Sequence, residues 1–247
     1  MSNAFYAPGR QRAARVNDLF ATVAPRYDLV NDLQSLGLHR CWKRRLARLA
    51  KVKPGDRALD LCCGTGDIAF ALARGGAEVT GVDFSEPMLA VASRRLQAGS
   101  SRLLASRTKL AVRFLRGDAQ RIPLPDSSFD IVTVAYGLRN LTSWEAGLRE
   151  MQRVARPGGR LLVLDFGKPD NRLWRWFYFG YLRLIVPALG RIFCGDASAY
   201  AYILESLKHY PAQRGVAARM RELGLANVRI DNLLGGAMSI NYGERPG

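Results

Sequence analysis

Two glycines, a threonine and a series of carboxylates in the first half of the chain carry chemistry by their types and spacing. Gly64, Thr65 and Gly66 lie in Ala58-Leu-Asp-Leu-Cys-Cys-Gly-Thr-Gly-Asp67, where an apolar run enters a glycine turn. Without a Cβ the turn can bend sharply and approach a ligand, and a helix begun near Asp67 aims free N–H groups at whatever sits there. Such a turn serves nicotinamide, flavin and S-adenosylmethionine (SAM) sites, and it also occurs where nothing binds. Asp83 ends the next apolar run, 17 residues beyond Gly66. A carboxylate there can take both hydroxyls of a ribose, the alternative being a helix cap. Gly117-Asp118-Ala119 follows a third run and would set Asp118 and the backbone N–H of Ala119 beside an adenine ring, or form a plain turn. Thr65 offers a hydroxyl and an N–H to a cofactor's amino-acid end, and Asp60 suits either bracing the loop or binding an ammonium. These acceptors fit the cationic amino group of SAM. Ala69 replaces the last glycine of Gly-x-Gly-x-x-Gly, which argues against a dehydrogenase.

Those residues meet only if a parallel sheet brings the ends of successive strands to one edge. The pattern predicts strands at 58–62, 78–83, 111–115, 129–135 and 160–165, with helices at 66–74, from 85 onward, and at 143–154 between them. Pro87 suits a first helical turn, and Arg156-Pro-Gly-Gly159 ends the last of these helices. A helix at 213–223 precedes runs at 228–231 and 237–242 that can close the sheet as a hairpin. The expected fold is α/β: a doubly wound, mostly parallel, seven-stranded Rossmann-like sheet. An N-terminal helical segment, 1–57, precedes it, and a helical insertion, 169–210, interrupts it before the last strands. All of 1–247 is read as a single domain.

Of 247 residues, 37 are Lys or Arg and 21 Asp or Glu, a net charge of +16. Half of that excess, +8, falls within residues 1–57. In the helical stretch 40–53, Trp42, Leu46, Leu49 and Ala50 share one face, whereas Lys43, Arg44, Arg48 and Lys51 are expected largely elsewhere. A solvated basic side, an anionic membrane surface or nucleic acid would each account for this charge. The stretch 172–193 is long and rich in Trp, Tyr and Phe, but Arg183 and Pro187 argue against a membrane span. It suits a lid over the site or a segment lying at a membrane interface. The N-terminus lacks a signal peptide's apolar core, so a cytoplasmic location is expected. Cys41, Cys62, Cys63 and Cys194 have no Cys-x-x-Cys spacing and only His39 and His209 beside them, so neither a metal site nor a disulfide framework is expected.

The order of Leu59 to Asp67, Val82-Asp83, Gly117-Asp118-Ala119, Ser128-Phe-Asp130 and Arg153-Val-Ala-Arg-Pro-Gly-Gly159 resembles the class I SAM-dependent methyltransferases. Three further stretches resemble the UbiE/MenG/COQ5 quinone-biosynthesis C-methyltransferases. They are Tyr27-Asp-Leu-Val-Asn31 through Trp42, Tyr136-Gly-Leu-Arg-Asn140, and Tyr200-Ala-Tyr-Ile-Leu-Glu-Ser206 with Tyr210-Pro211. Val30, Leu36 and Asp165-Phe-Gly167 depart from that pattern. Ala135 stands where some relatives have a cofactor-contacting Ser, so that contact is left to its backbone.

The resemblance implies SAM as cofactor and a polyprenyl quinol as substrate, most simply demethylmenaquinol, with a benzoquinol as the alternative. It implies Arg139 as the group that stabilises a phenolate and Asn140 as its orienting partner, since arginine is too basic to take the proton itself. Tyr27 and His39 are candidates to relay that proton. A polyprenyl substrate implies peripheral contact with the anionic inner face of the cell membrane and no nucleic-acid partner. A homo-oligomer is compatible with the sequence. The rivals are a basic RNA or DNA methyltransferase, for which +16 would be an electrostatic footprint, and a non-catalytic SAM-binding module.

Overall fold

A computed structural model describes residues 31–32, 35–102, 110–188 and 198–247. The elements run α1 (Leu38–Leu49), β1 (Arg57–Leu61), α2 (Asp67–Arg74), β2 (Glu78–Asp83), α3 (Glu86–Arg102), β3 (Val112–Arg116) and β4 (Phe129–Ala135). They continue with α4 (Trp144–Val154), β5 (Ala155–Phe166), α5 (Arg172–Gly180), α6 (Ser198–His209), α7 (Ala212–Glu222), β6 (Ala226–Leu233) and β7 (Met238–Glu244). The seven strands form one sheet in the order β3-β2-β1-β4-β5-β7-β6. The first five are parallel, and β7 runs antiparallel between β5 and β6. The doubly wound sheet and its closing hairpin are as expected.

Strands β1 and β4 are buried almost end to end, because a parallel strand covered by helices on both faces has no polar side to show. The period of two divides the core. Val132, Val134, Leu161 and Val163 pack with Leu148 and Met151 of α4, Leu207 of α6 and Val216 of α7. Ile131, Leu162 and Leu164 point the other way, onto Leu46 of α1 and Ile68 and Leu72 of α2.

Three features differ from the sequence expectation. Strand β5 begins at Ala155 rather than 160, because Phe129 pairs with Ala155 and Ile131 with Arg160, so that 156–159 form an irregularity within the ladder. Backbone bonds between Gly158 or Gly159 and Arg245 fasten that turn to β7's far end. The aromatic segment does not run on as one regular α-helix: α5 ends at Gly180 and passes into a π turn, Tyr181–Ile185. No helix among the described residues is long and apolar enough to cross a membrane. Finally, Lys43 is not on the solvated side of α1. It is buried with His39 and Leu46, at helical spacing on the inner face.

Candidate cofactor cleft and active site

Strand β1 delivers its chain to the switch point of the sheet, where β2 lies on one side and β4 on the other, the place where ligands sit in open α/β sheets. The turn that follows uses positive φ at Cys62 (51°), Gly64 (53°) and Gly66 (88°). A Cβ on Gly66 would meet the Phe70 ring at 2.9 Å and that of Phe114 at 3.1 Å, so this glycine lets the turn close on its own helix. A Cβ on Gly64 would meet nothing within 4 Å. Gly64 therefore presents bare backbone to open space, a cradle that any side chain would occupy.

That space is a cleft of ≈ 880 Å³, its open mouth included, lined by Gly64, Asp83, Asp118, Ala119, Tyr136 and Asn140 among others. Asp83 stands at the end of β2, with Oδ2 accepting from Gly64 N at 2.8 Å and Oδ1 from Ser85 N at 2.8 Å. Burial pushes its carboxyl above the ordinary range, against the pull of those backbone donors. The carboxylate lines the cleft, where it can accept from a ligand hydroxyl. Asp118 holds its own turn by accepting from Gln120 N at 2.8 Å. Met88, Val82 and Leu141 make the rest of the wall apolar.

A smaller cavity shares Cys62, Gly64, Ala135 and Tyr136 with this cleft and adds Lys43, Asp60, Thr65 and Asp67. Asp60 is 1% exposed. Its Oδ1 accepts from the Thr133 hydroxyl at 2.8 Å and its Oδ2 from Ala69 N at 3.1 Å, which ties β4 and the start of α2 to β1. Burial pushes its carboxyl up to about 7. Thr65 is buried, and its carbonyl accepts from Arg95 at 3.0 Å. Asp67 receives Lys43 and Arg95, each at 2.7 Å. Burial pushes the Asp67 carboxyl up, but the two cations outweigh it and hold it at about 2.

Across the cleft, β4 is followed by Tyr136, itself at positive φ (61°), and a single 3-10 turn, Leu138–Asn140. Asn140 lines the cleft, with its amide donating to the Tyr136 carbonyl at 3.0 Å. Arg139 does not line it. Its guanidinium, 7% exposed, donates to Asp165 Oδ1 at 2.7 Å and to the Tyr136 carbonyl at 2.6 Å, and lies 4.6 Å from the Phe166 ring centroid. His39 lies one helical turn before Lys43, close to Ser35 Oγ at 3.0 Å, and burial lowers its pKa. It lines neither cavity. Tyr27 lies outside the described residues. Lys43, Met88, Tyr136 and Leu141 also line these cavities without having been singled out for the site. Tyr136 opens the stretch 136–140 that carries the resemblance, and Lys43 left a signal of its own, a basic residue at inner-face spacing from His39 and Leu46.

This sheet order, the glycine cradle at the end of β1 and the carboxylates at the ends of its neighbours are the framework of a class I SAM-dependent methyltransferase. The chain belongs to the ubiE/COQ5 methyltransferase family, whose model matches residues 9–245. It is 41% identical over 97% of its length to 92% of the ubiquinone/menaquinone biosynthesis C-methyltransferase UbiE of Ectopseudomonas mendocina. It is 40% identical, over 97% of this chain and 93% of the other, to the protein of that name from Azotobacter vinelandii. Among solved structures, a SAM-dependent methyltransferase from Aquifex aeolicus superposes with a TM-score of 0.59 at 17% identity, covering 88% of this chain and 97% of that one. That likeness concerns the fold alone.

Proposed function

We propose that the protein methylates a ring carbon of a polyprenyl quinol, with demethylmenaquinol as acceptor and menaquinol as product. The observation that carries this reading is the identity of about two residues in five with proteins named ubiquinone/menaquinone biosynthesis C-methyltransferases, along 97% of the chain. The cleft supports it: Gly64 and Asp83 give it polar lining, and Met88, Leu141 and Tyr136 add lining that suits a flat, apolar ring.

SAM, when bound, supplies an electrophilic methyl group. Asp83 and Gly64 would hold its ribose at the cradle, with Asp118 and Ala119 beside the adenine. Asn140 orients a ring hydroxyl of the quinol, which becomes strongly electron-donating as it gives up its proton. Arg139 acts from behind Asn140: it grips the Tyr136 carbonyl that the Asn140 amide also grips, and its positive charge favours the phenolate form. Asp165 fixes that guanidinium in place. Tyr27 is the proposed relay for the proton; His39, which lines neither cavity and turns to Ser35, does not reach the cleft to take it. The apolar wall excludes water, so that the ring and the methyl group meet in one orientation.

A polyprenyl tail keeps its quinol in the bilayer, and α5 with the π turn after it suits a peripheral approach to it. Trp176 is 70% exposed, Phe177 53%, Leu173 66% and Leu184 67%. Arg172, Arg175, Arg183 and Lys208 border a groove beside them. Aromatic rings at headgroup depth and basic residues against anionic lipid are the two elements of interfacial binding.

The test is methyl-labelled SAM with purified protein and three acceptors: demethylmenaquinol, the corresponding benzoquinol with the same prenyl tail, and bulk RNA. Label is expected in the naphthoquinol. Label confined to the benzoquinol would change the ring assignment, and label in RNA or in nothing would overturn the proposal.

A further inference from the structure

We propose that Lys43, on the basic helix that precedes the sheet, receives the α-carboxylate of the bound methyl donor. This rests on the SAM site and is independent of the quinol reading. Asp118 beyond β3, Asp83 beyond β2 and Gly64 beyond β1 define a line across the sheet edge, and the donor's amino-acid end continues it into the smaller cavity. That end is a zwitterion and needs both a carboxylate or carbonyl and a cation. Acceptors are plentiful there, in Asp60 and the loop backbone. Among the described residues lining either cavity, Lys43 is the one cation.

Its burial makes the arrangement specific. Lys43 is 8% exposed on the inner face of α1, between His39 and Leu46, and a buried ammonium is costly unless it is paired. Nζ donates to Asp67 at 2.7 Å, which uses one of its three protons. Asp67 is itself shared with Arg95 at 2.7 Å, so Lys43 does not have that carboxylate to itself. An anion beside Gly64 and Thr65 would accept one of the remaining Nζ protons. The bland alternative is that the Lys43–Asp67 pair only pins α1 to α2.

Two ligands separate these roles. S-adenosylhomocysteine carries the amino-acid group, and 5′-methylthioadenosine keeps the nucleoside without it. Calorimetry on Lys43→Met should show S-adenosylhomocysteine bound roughly 10- to 100-fold more weakly, the size of one charge-assisted bond. Binding of 5′-methylthioadenosine should stay within about twofold of wild type, which also reports an intact nucleoside site. Equal loss for both ligands, or loss for neither, would overturn the assignment. Should Lys43→Met fail to fold, Lys43→Gln keeps a polar head of similar reach and faces the same pair of ligands. Decarboxylated SAM supplies the reciprocal perturbation. Its penalty on wild type should largely vanish on Lys43→Met, and full additivity of the two losses would equally sink the proposal.

Discussion

Replacing Asp60 by Asn should stabilise the protein at neutral pH and weaken its hold on the methyl donor. In the folded state burial pushes the Asp60 carboxyl up to about 7, from an ordinary value of 3.8 that applies to the unfolded chain. Between those pH values the folded protein keeps a proton that the unfolded chain has lost. The associated stability is therefore fully present below about pH 4 and is lost as pH rises to about 7, at roughly 1.4 kcal/mol per pH unit. The sum is on the order of 4 kcal/mol. Asn reproduces the protonated form without titrating. Its carbonyl can accept from Ala69 N, and its amide can donate to the Thr133 hydroxyl, which then donates to the Leu59 carbonyl now 3.3 Å away. Urea midpoints of wild type and Asp60→Asn at each pH from 4 to 8, subtracted, isolate this one group because all others titrate in both. The variant should match wild type near pH 4 and exceed it increasingly up to pH 7. At pH 8 it should bind S-adenosylhomocysteine about 10-fold more weakly, because a neutral amide replaces a carboxylate facing the ligand's ammonium. A stability difference that stays constant across the whole pH range would refute the reasoning.

Asp83→Ala should weaken SAM binding roughly 30- to 150-fold by removing two bonds to ribose, and should cost about 1–2 kcal/mol of stability because Gly64 N and Ser85 N lose their acceptor; unchanged affinity by calorimetry would contradict it. Gly64→Val should abolish SAM binding outright, since it places a β-branched side chain at φ +53° in the open cradle, and measurable SAM affinity in a folded variant would refute that. Arg139→Ala should lower turnover by about two orders of magnitude with SAM affinity nearly intact, and should destabilise by about 3–5 kcal/mol because Asp165 is left buried without its cation. Adding Asp165→Asn to Arg139→Ala should recover most of that stability and none of the turnover; wild-type turnover in either variant would reduce Arg139 to a brace. The protein should float with anionic liposomes at low salt and be largely released as ionic strength rises, and Trp174, Trp176 and Phe177 changed to Ser should remove the salt-resistant remainder. Retention on RNA with indifference to liposomes would favour the nucleic-acid rival.

The sheet could be read from the residues alone because each of its signals is local. Apolar runs such as 129–135 announce strands buried on both faces, and a Gly-Thr-Gly turn after the first of them marks where a helix N-terminus and bare backbone meet a ligand. Parallel order then obliges Gly64, Asp83 and Asp118 to share one edge, and they line one cleft. Asp60, Arg139 and Lys43 needed the tertiary structure. Nothing in the spacing of 58–67 says that Asp60 is sealed between Thr133 and Ala69, 73 and 9 residues away. Arg139 and Asn140 are neighbours in sequence, yet a 3-10 turn sends one into the wall against Asp165 and leaves the other at the cleft. Lys43 belongs to a run of like charges, most of which face solvent. The packing of α1 against α2 decides which of them meets Asp67, 24 residues further along the chain.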